Sequence, residues 1–213
     1  MNPIVVWGAS SGLGLAIVEY FSQAGFEVIG VARNPDKSPE LKAACKATHI
    51  CDATDQQQVE AVVNALPNDA WVISTMGSFR APVPVDYIGH RYLIDALQEK
   101  NLMRFFLVTS LGCGDSWQFL SERARQGFGD AVREKSLAEA WLQSSDLDYT
   151  ILRPGGLVNG PMTESGELSQ GIEVHGIIHR SEVARLVHQL LDSPDSVGQV
   201  YACVDKQAVV AGK

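Results

Sequence analysis

The stretch that most constrains this chain is Ile4-Val5-Val6-Trp7-Gly8-Ala9-Ser10-Ser11-Gly12-Leu13-Gly14. An apolar run leads into a glycine turn, and helical spacing begins at once, with Leu13, Ala16, Ile17, Tyr20, Phe21 and Ala24 on one face. A strand that stops in such a turn and restarts as a helix presents backbone N–H groups, and the positive end of a helix dipole, to whatever lies over the turn. Glycine is required where the backbone takes positive φ or approaches an anion closely. Gly8, Gly12 and Gly14 occupy those places, with Ser10, Ser11 and Leu13 between them, so the stretch is a candidate pyrophosphate cradle.

The rest of the chain repeats the alternation. Strands are expected over 26–32 (buried), 48–51, 71–74, 105–110, 149–152 and 199–204, and helices over 13–24, 41–47, 55–66, 87–100, 130–144 and 181–191, the last with Ser181 as its N-cap. A proline-containing loop is expected over 78–84 and a long irregular loop over 111–128. The polar segment 160–176 shows no periodicity, and the tail after Asp205 is expected to fray. The early strands are continuous apolar runs, as in a parallel sheet covered on both faces. The expectation is a single α/β domain over residues 1–213, a doubly wound parallel sheet of Rossmann type, with a small substrate-side region at about 156–180.

Totals exclude several alternatives. An acidic chain of net charge −8 without a basic run argues against non-specific nucleic-acid binding. There is no apolar run of membrane-spanning length and no basic-then-apolar leader, so a cytoplasmic protein without membrane association is expected. Cys45, Cys51, Cys113 and Cys203 form no C-x-x-C pair and are expected as reduced, partly buried thiols. His175 and His179 lie four apart, but Gly176, Ile177 and Ile178 argue against a helix there, so no metal site is expected.

Ligands of such sheets bind beyond the carboxyl ends of the strands. After the second strand, an NAD site would place an acidic residue on the ribose 2′-hydroxyl. Here Arg33 stands instead, and a guanidinium suits a 2′-phosphate, with Ser10 and Lys37 nearby in sequence. The expected cofactor is therefore NADP(H) rather than NAD(H).

Gly8-Ala9-Ser10-Ser11-Gly12-Leu13-Gly14, together with Glu134 to Glu139 and Asp148 to Gly155, resembles the short-chain dehydrogenase/reductase superfamily, in its atypical branch of NmrA-like and biliverdin-IX-beta/flavin reductase-like proteins. The resemblance implies that Asp52 and Ala53 lie beside the adenine, that Thr75, Met76 and Gly77 run past the cofactor ribose, and that Pro154 and Gly155 close over the nicotinamide. Ser110 falls at the catalytic serine position and Lys135 at the lysine of the superfamily's Tyr-x-x-x-Lys pair. The tyrosine position is then Ala131, and the histidine of the flavin-reductase type is replaced by Gly156.

Without a phenol to deliver a proton, a simple ketone is a poor acceptor. A flavin, a quinone or a conjugated tetrapyrrole spreads the incoming charge and takes its proton from solvent. The expected activity is thus NADP(H)-dependent reduction of a flat, conjugated small molecule, with Ser110 and Lys135 in the site and Trp117 and Phe119 as a stacking surface. A non-catalytic NAD(P)H-binding redox sensor is the alternative, and an NAD-dependent epimerase the third reading. Monomer and homodimer are both compatible with the sequence.

Overall fold

The computed structural model describes residues 1–78 and 83–210, so the centre of the expected 78–84 loop and the last residues of the chain lie outside the described residues. The sheet is built outward from β1 (Ile4–Trp7), whose four side chains are all buried. It pairs in parallel with β2 (Val28–Ala32) on one side and β4 (Trp71–Ser74) on the other, with Ile4 opposite both Val28 and Trp71. β3 (Ala47–Ile50) lies outside β2, while β5 (Arg104–Val108), β6 (Asp148–Pro154) and β10 (Gln199–Val204) extend the sheet beyond β4, all in parallel. The order is β3-β2-β1-β4-β5-β6-β10-β8, with the short β8 (Glu167–Ser169) at the edge. This is the doubly wound α/β fold expected from the sequence, reversing direction beside β1, where ligands of such sheets bind.

Helices cover both faces because strand residues alternate between them. On one face Ile4, Val6, Ile73 and Phe106 pack under α1 (Gly12–Gln23) and α6 (Arg180–Leu191). On the other, Val5, Trp7, Val72 and Phe105 pack under α3 (Gln56–Ala65), α4 (Ile88–Lys100) and α5 (Glu122–Gln143). The short α2 (Pro39–Ala44) flanks α1, and Ser38 caps it by accepting from the Leu41 N–H.

Three expectations are corrected. Much of the stretch expected as a loop over 111–128 is helical: a 3₁₀ turn spans Gly114–Phe119, and α5 starts at Glu122, capped by Ser121 Oγ, which accepts from Ala124 N at 3.2 Å. Gly127 and Gly129 flank a non-helical Phe128 (φ −148°, ψ 15°) and hide the periodicity there. The 160–176 segment contains β8 (Glu167–Ser169), an antiparallel edge strand on β10, and is bracketed by β7 (Gly156–Val158) and β9 (Ile177–His179), which pair with each other. Three-residue strands are too short to show alternation. Finally, α6 begins at Arg180 after His179, and the Ser181 hydroxyl donates to Gly160 O at 2.8 Å instead of capping.

Candidate functional site

The carboxyl ends of β1, β2, β4 and β5 open into a cleft of about 1060 Å³. Gly8 (φ +82°) and Gly12 (φ +58°) hold the positive φ that the turn above β1 requires, and both line the cleft with Ser10, Ser11, Leu13 and Gly14. Gly14 serves a different purpose from backbone freedom. A Cβ there would lie 2.1 Å from Gly8 O and 2.7 Å from Thr75 Oγ1, so its bare Cα lets α1 dock on the turn.

Arg33 follows β2 and lines the cleft with Lys37. The nearest acidic residue in sequence, Asp36, pairs outward with Lys42. After β3, Asp52 and the buried Ala53 line the cleft, and Asp52 Oδ1 accepts from Thr54 N at 3.0 Å and Thr54 Oγ1 at 2.8 Å. This Asx turn holds the Asp52 carboxyl below its ordinary pKa, chiefly through the Thr54 backbone bond.

Thr75, Met76 and Gly77 follow β4 and line the cleft. Gly77 also leaves room for an ion pair that sequence reasoning missed. A Cβ there would lie 3.1 Å from Lys135 Nζ and 3.3 Å from Asp86 Oδ1. Those two atoms are 2.7 Å apart, with the Asp86 side chain fully buried and Lys135 only 15% exposed. Lys135 Nζ also donates to Met76 O at 3.2 Å, and Asp86 Oδ2 accepts from Ser78 N at 2.9 Å. The lysine reaches across from α5 and is fixed in the cleft wall by a buried carboxylate. Behind this pair, fully buried His90 bridges Asp86 O at 2.6 Å (Nδ1) and Ser74 Oγ at 2.8 Å (Nε2). Burial pushes its pKa down to about 4, so at neutral pH Nδ1 donates and Nε2 accepts.

Ser110, just beyond β5, also lines the cleft, with its Oγ 3.6 Å from Cys113 Sγ. Its neighbour Thr109 donates to Glu139 Oε1 at 2.6 Å. Glu139 in turn receives Arg153 through Nε at 3.0 Å and Nη2 at 2.7 Å. This buried cluster ties the ends of β5 and β6 to α5 directly beneath the serine. Burial opposes the charge of Arg153, but its bonds to Glu139 and Asp115 outweigh that and raise its pKa.

Two expectations fail at this end. Pro154 is buried in β6 and does not line the cleft, whereas Gly155 does. Trp117 and Phe119 do not provide the aromatic wall. Trp117 instead packs with Arg125 and Arg133, whose guanidinium carbons lie 5.3 and 5.0 Å from its ring centroid. Phe119 lines a separate cavity of about 390 Å³ between α5 and β10. Besides the buried Trp7, the aromatic lining the cleft is Phe128, 43% exposed at the irregular residue of α5, with Leu157 of β7 also lining the cleft. Arg180 lines it too, within the segment His179 to Ala184 that resembles the superfamily's strand-to-helix stretch near the substrate mouth, whereas no motif pointed to Phe128. Among the described residues no cluster of potential ligands could hold a metal ion, and no helix is long and apolar enough to cross a membrane.

A glycine turn between β1 and α1, at the switch point of a doubly wound sheet and under one long cleft, defines a dinucleotide-binding protein of the Rossmann type. The chain belongs to the NAD(P)H-binding family, whose model matches residues 8–194. It is similar to solved structures of ChuY, described as an anaerobilin reductase, from Escherichia coli O157:H7 (42% identity, TM-score 0.89, covering 99% of this chain and 100% of that one). ChuY from E. coli CFT073 is similar at 41% identity and TM-score 0.86, covering 98% and 100%. Sanguinarine reductase of Eschscholzia californica is 33% identical over 116 residues, covering 52% of this chain and 41% of that protein.

Proposed function

We propose that this protein is an NADPH-dependent reductase of an extended conjugated acceptor, in the first instance an open-chain tetrapyrrole of the bilin class. The observation that carries the reading is the composition of the cleft above the β1 turn. It has the cations Arg33 and Lys37 directly after β2, with Asp52 beside them after β3, a glycine cradle in the middle, and Ser110, Lys135, Phe128 and Leu157 at the far end. The resemblance to an anaerobilin reductase over the full length supports the choice of acceptor.

The residues fit the dinucleotide in detail. Gly8 and Gly12 shape the turn that would receive the pyrophosphate, Arg33 and Lys37 would neutralise a 2′-phosphate, and Ala53 and Asp52 would flank the adenine. Bound NADPH supplies the hydride. Ser110 Oγ donates a hydrogen bond to a polar atom of the acceptor. The Lys135 ammonium, held by Asp86, stabilises negative charge developing on the acceptor nearby. Phe128 offers a ring face to a flat π-system, and Leu157 excludes water beside it. With Ala at position 131 no phenol protonates the product, so the proton comes from solvent, which a delocalised anion tolerates.

The test is NADPH oxidation by the purified protein with a bilin, FMN or a quinone, each repeated with NADH and with Ser110→Ala. Bilin-dependent turnover, at least about tenfold more efficient with NADPH than with NADH and lowered about 10- to 100-fold in the variant, is expected. Tight NADPH binding with no turnover on any acceptor would overturn the reading in favour of a redox sensor.

A further inference from the structure

Buried polar side-chain atoms normally find a partner, so those that do not are informative. Among the described residues four such atoms have none: Trp7 Nε1, Asp86 Oδ1, Arg91 Nε and Arg180 Nε. Asp86 Oδ1 is matched by the Lys135 ammonium at 2.7 Å, and Arg91 Nε by Asp95 Oδ2 at 3.8 Å. Trp7 and Arg180 have no such compensation, and both line the cleft.

Arg180 is the more telling of the two. Its Nη1 donates to Asn159 Oδ1 at 2.7 Å, which fixes the guanidinium plane. Its Nε is the one atom within 4 Å of a Cβ built on Gly12, at 3.9 Å. The orphaned donor therefore lies close to Gly12 of the phosphate turn, brought there from the start of α6. A desolvated cationic N–H with no acceptor is unfavourable, and an anion seated over the turn supplies the acceptor. Arg33 and Lys37, after β2, serve the other end of the cleft.

We infer that Arg180 is a cofactor-binding residue that grips the dinucleotide pyrophosphate from the C-terminal side, opposite the Gly8–Gly14 turn, with Asn159 as its positioning residue. This rests on the dinucleotide reading above. The pyrophosphate then bridges two parts of the chain far apart in sequence, the first turn and the segment from β7 to α6 that brings Leu157 to the acceptor end. Cofactor would accordingly bind before acceptor.

The experiment measures dissociation constants of the wild type, Arg180→Gln, Arg180→Lys and Arg33→Gln for NADPH, for 2′-phospho-ADP-ribose and for adenosine 2′-monophosphate, which has no 5′-phosphate. Arg180→Gln is expected to weaken the two pyrophosphate ligands about 10- to 100-fold and adenosine 2′-monophosphate less than about twofold, with a shallower salt dependence. Arg180→Lys retains charge without the fork and is expected to fall between. Arg33→Gln weakens all three ligands. An unchanged melting temperature of the unliganded Arg180→Gln protein confirms its fold. A wild type that binds no NADPH sinks the dinucleotide reading itself. A wild type that binds, with Arg180→Gln losing the same factor for all three ligands or none for NADPH, overturns the inference alone. In the latter case a raised acceptor KM would reassign the guanidinium to an acidic acceptor.

Discussion

Substituting Glu139 by Gln tests the idea that a buried ion cluster holds the floor of the site. Glu139 is 2% exposed and accepts from Thr109 Oγ1, Arg153 Nε and Arg153 Nη2. The amide retains one oxygen but sets an NH₂ group against the Nη2 donor, now 2.7 Å from Oε2. It also leaves Arg153, itself 7% exposed, with Asp115 as its remaining ionic partner. Removing one member of a buried ion pair costs about 3–5 kcal/mol, and in a chain of this size each kcal/mol shifts the melting temperature by roughly 2–4 °C. The expected fall is therefore about 6–20 °C, with a matching shift of the urea midpoint at constant slope. Arg153→Met combined with Glu139→Gln should cost less than the two single changes added together, because the stranded charge is gone. Asp115→Asn removes a partner that is 70% exposed and should cost under about 1 kcal/mol. A Glu139→Gln loss below about 1 kcal/mol, or strict additivity in the cycle, would refute the reasoning.

Other outcomes follow from the same geometry. Gly14→Ala forces a Cβ to 2.1 Å from Gly8 O, so α1 must lift from the turn; NADPH affinity should fall more than about tenfold, and an unchanged affinity would discount the docking role. Phe128→Ala should raise the KM of a conjugated acceptor several-fold, by roughly the 1 kcal/mol of one stacking contact, while leaving NADPH binding within about twofold. Stability should decline in acid. His90, depressed from 6.5 to about 4, contributes fully above its unfolded pKa and loses that contribution as pH falls toward 4. Glu182 and Asp205 act in the same direction, since burial opposes their charge but hydrogen bonds hold both below their ordinary values. His179 has the opposite sign: carbonyls of Val209 and Pro161 raise its pKa, so its contribution is complete below 6.5 and is lost as pH rises through the folded value. Melting temperature against pH, with His179→Gln as control, checks all four. The Cys51 thiol, pushed up to about 12 by burial, should resist iodoacetamide at neutral pH although it borders the cleft.

The dinucleotide half of the fold was legible because its signals are local and strong. The Ile4–Gly14 stretch, the absence of an acid after β2 and the lysine of α5 each carry their chemistry in adjacent or regularly spaced residues. The acceptor half was not. Phe128 sits between two glycines that disguise a helix, and β7, β8 and β9 hold three residues each. Asp86 was invisible as the partner of Lys135 because the pairing spans two elements and has no sequence spacing to reveal it. Arg180 stood just before the expected helix, in a segment whose resemblance placed it near the substrate mouth, and only the fold brings its Nε close to Gly12. Pro154 was misplaced by a resemblance that located the right strand end, but the cleft wall begins one residue later, at Gly155.

The position of β1 has a consequence for how the chain is made. It precedes every other strand of the sheet in chain order yet is the strand on which the sheet is assembled, and Thr75 must return across 68 residues to bond Trp7 O. Until β4 arrives, Ile4-Val5-Val6-Trp7 is an apolar segment with an open edge. Parallel sheets of such high contact order fold slowly, and an unpaired strand of this composition is prone to associate with copies of itself. Yield on overexpression should therefore be limited by synthesis temperature and chaperone capacity rather than by the stability of the finished domain. A charge introduced into β1 to improve solubility would be buried in the native core.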